Sequence, residues 1–449
     1  MAIAAVAGMG GIGKTALAQE YLRRYKDNYP GGRWYLRLRD QSLVSQLLSA
    51  AALFGWELPD TLIDTQTSDR QRVQWCYDRW RQAFAGERLL LLDDVQAYGD
   101  VGDLLPGDSD PSLRVLMTSR QRFGRPVDRL DLGVLSPAEA LELFTRLIDN
   151  GARVQAEMDE AVALCEWVGR LPLGIELVGR YLALHPSLSL ARMGQRLEEK
   201  RLQVRAFQQR PDEMAYELTL QVAFELSWQN LTPAAKTLAG LLSLFAPDPI
   251  PADLIARALP DWDEEDLEES LDGVLVHRSL VQIVAESAGT YQLHQLLREF
   301  IAEKLNAELA EQKTALQTGI AYALTAIAKE EIPQTVTLGI QAQVAAAIPH
   351  LAVVAHQLTH LLQNSTDAVW PYVGLARFYQ GQSLWPEAEK AHQACLTMTE
   401  QRFGAEHPYT AISLNGLAAL YYAMGRYPEA EPLFRRSLKS RSPARGRAS

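Results

Sequence analysis

The sequence GMGGIGKT occupies residues 8–15 and matches the phosphate-binding pattern G-x-x-x-x-G-K-T in full. In such a loop, backbone N–H groups of a glycine-rich turn surround the β-phosphate, the lysine reaches the β- and γ-oxygens, and the threonine hydroxyl ligates Mg²⁺. Apolar residues 2–7 predict a buried strand, and residues 16–22 predict a helix whose N-terminus faces the anion. This order of strand, loop and helix favours a phosphate-binding loop over the alternative, a glycine-rich turn that binds nothing. The predicted nucleotide-binding residues are Gly8, Gly10, Gly11, Ile12, Gly13, Lys14, Thr15 and Ala16.

Composition limits the partners and the compartment. A chain of 449 residues is long enough for several domains. Its net charge of −11 argues against a dominant nucleic-acid or membrane surface, although a local basic patch stays compatible with it. Cys76, Cys165 and Cys395 form no C-x-x-C pair, which disfavours a disulfide framework or cysteine zinc site and favours a reducing, cytoplasmic location. Because no charged segment precedes the first apolar stretch and no 18 apolar residues stand together, we expect neither export nor a membrane span.

Strand-like and helix-like segments alternate along the first third of the chain, as in a parallel sheet covered by helices. The candidate strands are residues 3–7, 34–38, 89–92 and 114–118, with amphipathic helices at residues 43–53 and 70–84. From Ser136 onward the pattern becomes helical. The sequence S-P-A-E predicts a helix start there, because Ser136 caps the first turn and Glu139 completes a capping box.

Residues 261–269 are mostly acidic and at first suggest a metal-binding cluster. The apolar period that continues through Leu271 and Val274 favours instead an exposed helix whose N-terminus the acids complement. Further on, residues 280–284 and 290–293 flank a turn and predict a β-hairpin. Helices followed by such a hairpin indicate a winged-helix domain.

The C-terminal part contains a repeat with a spacing of 42 residues. The sequence G-L-A-R-F-Y at 374–379 matches G-L-A-A-L-Y at 416–421, and W-P-E-A-E at 385–389 matches Y-P-E-A-E at 427–431. Small and aromatic residues at this spacing resemble tetratricopeptide helix pairs in a long-period form. Two units are recognisable, so helices between about residues 305 and 362 must complete the stack, or the array is incomplete.

These patterns predict a multidomain α/β plus α architecture. The predicted parts are a parallel-sheet P-loop NTPase domain (1–135), a helical domain (136–210), a winged-helix domain (211–304), a helical linker or atypical repeats (305–368), tetratricopeptide-like repeats (369–438) and a basic tail (439–449). Charge and composition favour disorder of this tail over a role as a nucleic-acid anchor.

Two of the predicted strands end in residues suited to phosphate chemistry. Four leucines at 89–92 precede Asp93 and Asp94, as in a central strand that delivers carboxylates to a phosphate loop; a strand that ends in a polar turn is the alternative. We expect Asp93 to hold Mg²⁺ together with Thr15, and Asp94 to act as general base toward the attacking water. Arg120 follows another strand and is expected to contact the γ-phosphate. No N-K-x-D segment for guanine recognition follows, so the expected ligands are ATP or ADP with Mg²⁺.

Four segments, 8–15, 89–94, 118–120 and G-R-L-P-L at 169–173, together resemble the NB-ARC group of signal-transduction NTPases, in the STAND class. The resemblance extends from residue 2 to about residue 305. It implies that Pro172 lies against the adenine. It also implies that His294, in the segment 291–298, approaches the ADP β-phosphate; without the resemblance, His294 is taken as a structural histidine.

The chain departs from the family pattern at several positions. Leu293 and Gln295 replace the methionine and aspartate of the family's M-H-D motif, which implies a weaker hold on the ADP-bound state. Arg170 stands where glycine is common, so we expect an altered turn. Family members also carry a segment upstream of the phosphate loop and often an effector domain, whereas seven residues precede Gly8 here. We therefore expect a truncated chain or an effector on a separate polypeptide.

The resemblance implies a signalling switch. It is closed with ADP, opens or forms a homo-oligomer after exchange for ATP, hydrolyses slowly, and binds a protein or small-molecule signal at its repeats. A transcription regulator that binds DNA through the winged helix or a missing N-terminal domain is the alternative, disfavoured by the acidic charge. An inactive scaffold is disfavoured by the intact Lys14, Thr15, Asp93 and Asp94. The two histidines of 356–360 have zinc-protease spacing but lack its glutamate, which favours an amphipathic helix.

Overall fold

The structure is a computed structural model that describes residues 2–39, 41–64, 66–107, 110–148, 151–207, 215–284, 289–363 and 367–441. Within these ranges helices predominate, and the strands form one five-stranded and one three-stranded sheet. The parallel sheet, the many helices and the C-terminal helical repeats confirm the predicted fold class.

A five-stranded parallel sheet forms the N-terminal part of the molecule. Its strands are β1 (Ala2–Ala7), β2 (Arg33–Arg37), β3 (Arg88–Asp93), β4 (Leu113–Ser119) and β5 (Asp128–Asp131), in the order β2-β3-β4-β1-β5. The first four confirm the strands expected from apolar runs. The sequence pattern does not predict β5, because D-R-L-D is exposed along its whole length and parallel pairing with β1 holds it at the edge.

The register of this sheet brings several strand ends to one edge. Arg37 aligns with Asp93, and Ala7 aligns with Ser119. The four leucines of β3 are at most 1% exposed, because helices cover both faces of the sheet. These helices are α1 (Lys14–Arg24), α2 (Leu43–Leu53), α3 (Asp60–Ile63) and α4 (Asp69–Ala83). The loops after β1, β3 and β4 therefore open together at the carboxyl edge, where α/β sheets bind ligands.

Helices follow the sheet, as expected. They are α5 (Pro137–Leu147), α6 (Ala152–Ala156), α7 (Met158–Trp167), α8 (Pro172–Ala183) and α9 (Leu190–Phe207). The predicted start of α5 is confirmed: the Ser136 hydroxyl accepts a hydrogen bond from the Glu139 N–H, and the Glu139 carboxylate accepts one from the Ser136 N–H. The two reciprocal bonds satisfy backbone donors at the first turn.

The next part combines helices with the small antiparallel sheet. Its elements are α10 (Ala215–Gln229), α11 (Pro233–Leu244), β6 (Ile250–Pro251), α12 (Ala252–Ala258), α13 (Glu264–Glu268), β7 (Val281–Ile283), β8 (Thr290–Leu293) and α14 (Gln295–Glu308), with sheet order β6-β8-β7. The hairpin of β7 and β8 is present as predicted. The acidic run begins a helix, with the Asp263 carboxylate accepting from the Asp266 N–H at 2.7 Å. The part of the chain that the structure describes contains no group of three or more His, Cys, Asp or Glu side chains suited to a metal ion.

The remaining described helices are α15 (Ala310–Ala326), α16 (Leu338–Val344), α17 (Ile348–Val353), α18 (Trp370–Gly381), α19 (Trp385–Phe403), α20 (Pro408–Ala423) and α21 (Tyr427–Arg441). The last four are the two predicted repeats, and α21 runs three residues beyond the predicted end at 438. Residues 442–449 of the predicted tail lie outside the described residues. Gly374 in α18 lies so close to Ala328 that a methyl group added there would come within 2.7 Å of the Ala328 Cβ. The preceding helices thus pack directly on the first repeat.

One described stretch, Leu338–Leu361, is long and apolar enough to cross a membrane by length and composition, with a mean hydropathy of 1.5. Nearly half of its most apolar window, 44%, is buried inside the molecule. A core helix has the same properties, so the stretch is weak evidence for a membrane span.

We predict that Gly374→Ala lowers the unfolding temperature, because the added methyl group overlaps Ala328 and overpacking costs about 1–3 kcal/mol. Gly339→Ala in α16 is the matched control, since its added methyl group meets no atom within 4 Å. The control should be neutral or stabilising by at most about 1 kcal/mol. Differential scanning fluorimetry of the two variants tests this packing, and equal unfolding temperatures would contradict it.

Candidate functional site

The phosphate-binding loop joins β1 to α1 in a conformation that requires glycine. Gly11 and Gly13 have φ angles of 75° and 96°, and Gly13 is the N-cap of α1. Residues other than glycine rarely adopt such φ angles. The turn therefore places the start of α1, with its unpaired N–H groups and positive dipole end, at the carboxyl edge of the sheet.

Lys14 lies across the loop. Its ammonium donates hydrogen bonds to the carbonyl oxygens of Gly8 and Met9, both at 2.8 Å. Burial and then the charge of Arg120 lower the Lys14 pKa, whereas Asp94 and Asp93 act in the opposite direction. The lysine thus stands between a cation and two acids, as an anion-binding lysine in this position must.

Asp93 ends β3 and is completely buried. One of its carboxylate oxygens accepts hydrogen bonds from the hydroxyls of Thr15, at 2.8 Å, and Thr118, and the other accepts from the Tyr35 hydroxyl at 2.9 Å. Burial and then the Asp93 charge raise the Tyr35 pKa, which keeps this hydroxyl a donor. The contact between a threonine hydroxyl and a carboxylate supplies the oxygen ligands that Mg²⁺ prefers, alongside phosphate oxygens and water. Thr15 and Asp93 therefore fit the predicted magnesium site.

Asp94 is held differently from its neighbour. Its backbone is left-handed, with φ 58°, and its N–H donates to the Thr118 hydroxyl at 2.9 Å. Its carboxylate pairs with the Arg39 guanidinium at 3.1 Å. A general base at this position would have to act beside that ion pair.

Two later helices cover the loop with their first turns. Leu173 in α8 and Leu296 in α14 both approach Gly11, where an added Cβ would lie 3.3 Å from Leu296 and 3.6 Å from Leu173. Pro172 lies 3.9 Å from the corresponding position at Gly13. The buried side chain of Ile12 belongs to the same apolar cluster as both leucines. Three parts of the chain that are distant in sequence thus meet at the phosphate loop.

The turn before α8 forms despite an arginine where glycine is expected. Gly169 and Arg170 both have positive φ angles, 64° and 54°. The Arg170 N–H donates to the Cys165 carbonyl at 2.9 Å, and its carbonyl accepts from the Leu135 N–H. These backbone bonds hold the left-handed residue that the turn requires.

His294 is the N-cap of α14. Its Nδ1 accepts a hydrogen bond from the Leu296 N–H at 3.2 Å, so a neutral imidazole carries its proton on Nε2. Burial and then the charges of Arg120, Lys14 and Arg37 lower its pKa to about 4. Cations from the phosphate loop and from the ends of β2 and β4 thus converge on this histidine. Such a convergence of positive charge favours an anion nearby.

Gln295 occupies the place of the family's aspartate. Its amide nitrogen donates to Glu299 in the same helix at 2.7 Å, whereas its buried amide oxygen has no hydrogen-bond partner among the described residues. The side chain therefore contributes no negative charge next to the convergent cations.

The C-terminal repeats contact the sheet domain directly. Gln382 accepts from the Ser45 hydroxyl at 3.0 Å and donates to the Ser49 hydroxyl at 2.8 Å. The Trp385 indole donates to the Ile63 carbonyl at 3.0 Å, and Leu384 is buried within the apolar cluster of the sheet domain. The turn between α18 and α19 is thereby docked on α2 and α3.

The structure brings most of the predicted site residues together. Lys14, Thr15, Asp93, Asp94, Arg120, Pro172 and His294 surround the loop that contains Gly8, Gly10, Gly11, Ile12 and Gly13, and Ala16 follows in the first turn of α1. Their roles toward a nucleotide stay predictions. The sequence does not predict the contacts of Tyr35, Arg39 and Thr118 with the two acids, because they depend on which strands are neighbours and on the path of the chain after β2. The T-S-R segment at 118–120 was the one signal available for Thr118.

Comparisons with known proteins agree with this arrangement. The family model "NB-ARC domain" matches residues 1–151, and the model "Tetratricopeptide repeat" matches residues 367–442. The chain is 33% identical to "Regulatory protein AfsR" of Streptomyces griseus and 31% identical to the protein of that name from Streptomyces coelicolor, over 66% of its length in each case. It spans only 29% of the length of either relative.

Among solved structures, the fold resembles a signal transduction ATPase with numerous domains (STAND) from Pyrococcus horikoshii that has a tetratricopeptide repeat sensor. The TM-score is 0.50 with 17% sequence identity, and the match covers 98% of this chain and 62% of the other. At this identity the likeness concerns the fold alone.

We predict that Lys14→Ala lowers ATP affinity about 100-fold, because a charge-assisted contact to phosphate contributes as much as about 3 kcal/mol. The fold should persist, since Lys14 bonds only to loop carbonyls here among the described residues. Isothermal titration calorimetry measures the ATP affinity of this variant. The control is Lys26→Ala, because Lys26 is exposed in another part of the domain. ATP affinity equal to wild type in Lys14→Ala would contradict the proposed site.

Asp94→Asn is expected to retain ATP binding and lose hydrolysis, because an amide cannot accept the proton of the attacking water. Single-turnover hydrolysis measures the effect. Asp100→Asn, at an exposed aspartate, serves as the control. An unchanged single-turnover rate in Asp94→Asn would show that another group accepts the proton.

His294 should give the folded chain a pH dependence of definite sign. Its pKa, about 4, lies below the ordinary value of 6.5, so its stabilising contribution is full above pH 6.5 and is lost as the pH falls toward 4. Between pH 7 and 5 we expect the nucleotide-free wild type to lose about 1–2 kcal/mol more stability than His294→Asn, which retains a capping acceptor. Thermal unfolding at both pH values tests this. Equal losses in the two proteins would contradict it.

Proposed function

The chain belongs to the P-loop NTPases that combine an NB-ARC domain with C-terminal tetratricopeptide repeats, and on this premise we propose that it is an ATP/ADP-dependent signalling switch. In this proposal the closed form holds ADP. Exchange for ATP, prompted by a signal at the repeats, opens the molecule or allows it to oligomerise. The observation that carries the proposal is the packing of the first turns of α8 and α14 on the phosphate loop.

This packing supplies the required coupling between ligand and conformation. A ligand shifts a conformational equilibrium only through contacts that differ between the two states. In the described arrangement, Leu296 of α14 packs on the loop, and the charges of Lys14 and Arg120 act on His294, the N-cap of the same helix. An ADP β-phosphate at the loop would accept a hydrogen bond from the His294 Nε2 and compensate the neighbouring cations. ADP would thus favour the state in which α14 is docked.

The same residues suit slow hydrolysis. Thr15 and Asp93 would hold Mg²⁺, which neutralises charge on the β- and γ-phosphates. Arg120 would approach the γ-phosphate from the end of β4. Asp94 would serve as the base, and its ion pair with Arg39 at 3.1 Å opposes that role until the pair separates. Turnover would therefore reset the switch slowly.

The repeats are placed to report a signal to the NTPase domain. The contacts of Gln382 and Trp385 with α2 and α3 would be lost if a partner bound to the repeats displaced them. Tetratricopeptide arrays present extended surfaces for binding. The proposed input is therefore a protein or small-molecule partner of the repeats. The buried thiols of Cys76, Cys165 and Cys395 are free and support a cytoplasmic setting.

A transcription-regulating role is the second candidate, favoured by the similarity to two proteins named regulatory proteins. In that case the part of the chain interpreted as a winged helix, residues 211–304, or a further domain would contact DNA. The β8 strand of this part faces the NTPase domain, where the Gln292 side-chain amide lies against the Arg37 guanidinium. DNA affinity that falls steeply with salt would favour this alternative.

Release of ADP tests the switch. We expect His294→Asn to release ADP about fivefold faster than wild type, the low end of typical coupling energies at about 1 kcal/mol. His407→Asn is a closely matched control, because His407 caps α20 through the same Nδ1 contact with the N–H two residues on, at 3.2 Å. Stopped-flow displacement of a fluorescent ADP analogue gives the rates. Equal ADP release rates in all three proteins would show that His294 has no part in the proposed switch.

A further inference from the structure

A cavity of about 720 Å³ lies where four parts of the chain meet, separate from the phosphate loop. Its walls come from β2 and α2, from residues 246–249, from the helical segment 345–357 and from the first repeat. This volume falls within the range of about 300–1,000 Å³ that is usual for small-molecule sites. Residues of the NTPase domain and of the first repeat thus line the same partly open cavity.

Glu387 of α19 lines this cavity, and one of its carboxylate oxygens is unpaired. The residue lies in the first turn of the helix, whose positive dipole end favours a negative charge. Its Oε2 is buried and has no hydrogen-bond partner among the described residues. Burial and then the Glu387 charge raise the pKa of Tyr379, which also lines the cavity. A buried carboxylate without a partner is costly, unless a ligand or water supplies the missing donor.

The second repeat shows what this carboxylate lacks. Glu429, 42 residues later at the equivalent position, accepts from the Arg426 guanidinium at 2.7 Å. The turns before the two glutamates have the same backbone hydrogen bonds, including those from Leu384 and Arg426 to the tyrosines five residues earlier. The equivalent of Arg426 is Leu384, which is fully buried in the NTPase domain. The first repeat, which docks through Leu384, therefore has no arginine at the position from which Arg426 neutralises Glu429.

The other acidic and basic side chains that line the cavity are Asp248, Arg37 and His356. Asp248 accepts from the Gln41 amide at 2.9 Å. Arg37 pairs with Asp93 at 3.9 Å through its Nε, which has no hydrogen-bond partner among the described residues, and its guanidinium lies against the Gln292 amide. Much of the remaining wall is apolar, including Leu36 and Ile348. A fitting ligand therefore has one cationic donor for Glu387 and an apolar body.

We propose that this cavity is a binding site for a small organic ammonium compound, whose charged nitrogen donates to Glu387 while its apolar part occupies the space between α2 and the helical segment 345–357. An occupant would contact both the first repeat and the NTPase domain. It would strengthen the docking made by Gln382, Leu384 and Trp385. Binding itself is independent of the proposed switch, whereas an effect of the ligand on nucleotide exchange rests on it.

The test uses the full chain and two probes of nearly equal shape, 2-phenylethylamine and the uncharged 2-phenylethanol. We expect the amine to bind about tenfold more tightly than the alcohol, because a hydrogen bond to a charged group contributes about 1.5 kcal/mol or more. Ligand-observed NMR titration measures both affinities. Glu387→Gln should abolish the preference for the amine, and Glu429→Gln, at the paired equivalent, should retain it.

Three outcomes would overturn the proposal: no binding of either probe, equal affinities in the wild type, or an amine preference that survives Glu387→Gln. Thermal unfolding of both variants shows that they are folded. Glu387→Gln should not lower the unfolding temperature, because no described residue donates a hydrogen bond to the Glu387 Oε2. ADP release is measured on the same samples. Failure of the proposed ammonium site can then be told apart from failure of the proposed switch.

Discussion

The packing of Leu173 and Leu296 on the phosphate loop is the contact on which the rest of the arrangement depends. The glycines of the loop offer no side chains of their own, so the helix turns that pack on them help to define the walls of the site. Here those turns belong to α8 and α14, more than 150 and 280 residues along the chain from the loop. The buried Ile12 continues the contact into the apolar cluster shared with the later helices. The geometry of the nucleotide site is therefore a property of three parts of the chain.

The docked start of α14 is connected to the repeats through buried polar contacts. Arg298 donates to the carbonyls of Leu242, Ser243, Phe245 and Ala246, near the end of α11. Burial lowers its pKa to about 10, which leaves the guanidinium charged at neutral pH. His350, fully buried, accepts from the Ala246 N–H and contacts the Pro249 carbonyl. These bonds join α14 to α17, on which the first repeat packs.

The sequence predicts the local features well, because strand, loop, capping box and repeat each leave a periodic or motif signal. The phosphate loop, the buried strand before Asp93 and the helix start at Ser136 are such features. The contacts of Tyr35 and Arg39 with the two acids depend on strand register and on the path of a loop, which local periodicity does not encode. Likewise, the pattern of the repeats gives no sign that Leu384 would be buried in another domain. The roles of His294 and Pro172 stay predictions that rest on the family resemblance.

We propose that occupation of the phosphate loop and docking of both α14 and the repeats are one coupled event. Amide hydrogen exchange of residues 294–298 and 381–385, measured with ADP and with a non-hydrolysable ATP analogue, tests this claim most directly. We expect slow exchange in both segments with ADP and faster exchange in both with the analogue. Exchange rates in the two segments that do not differ between the two nucleotides would contradict it.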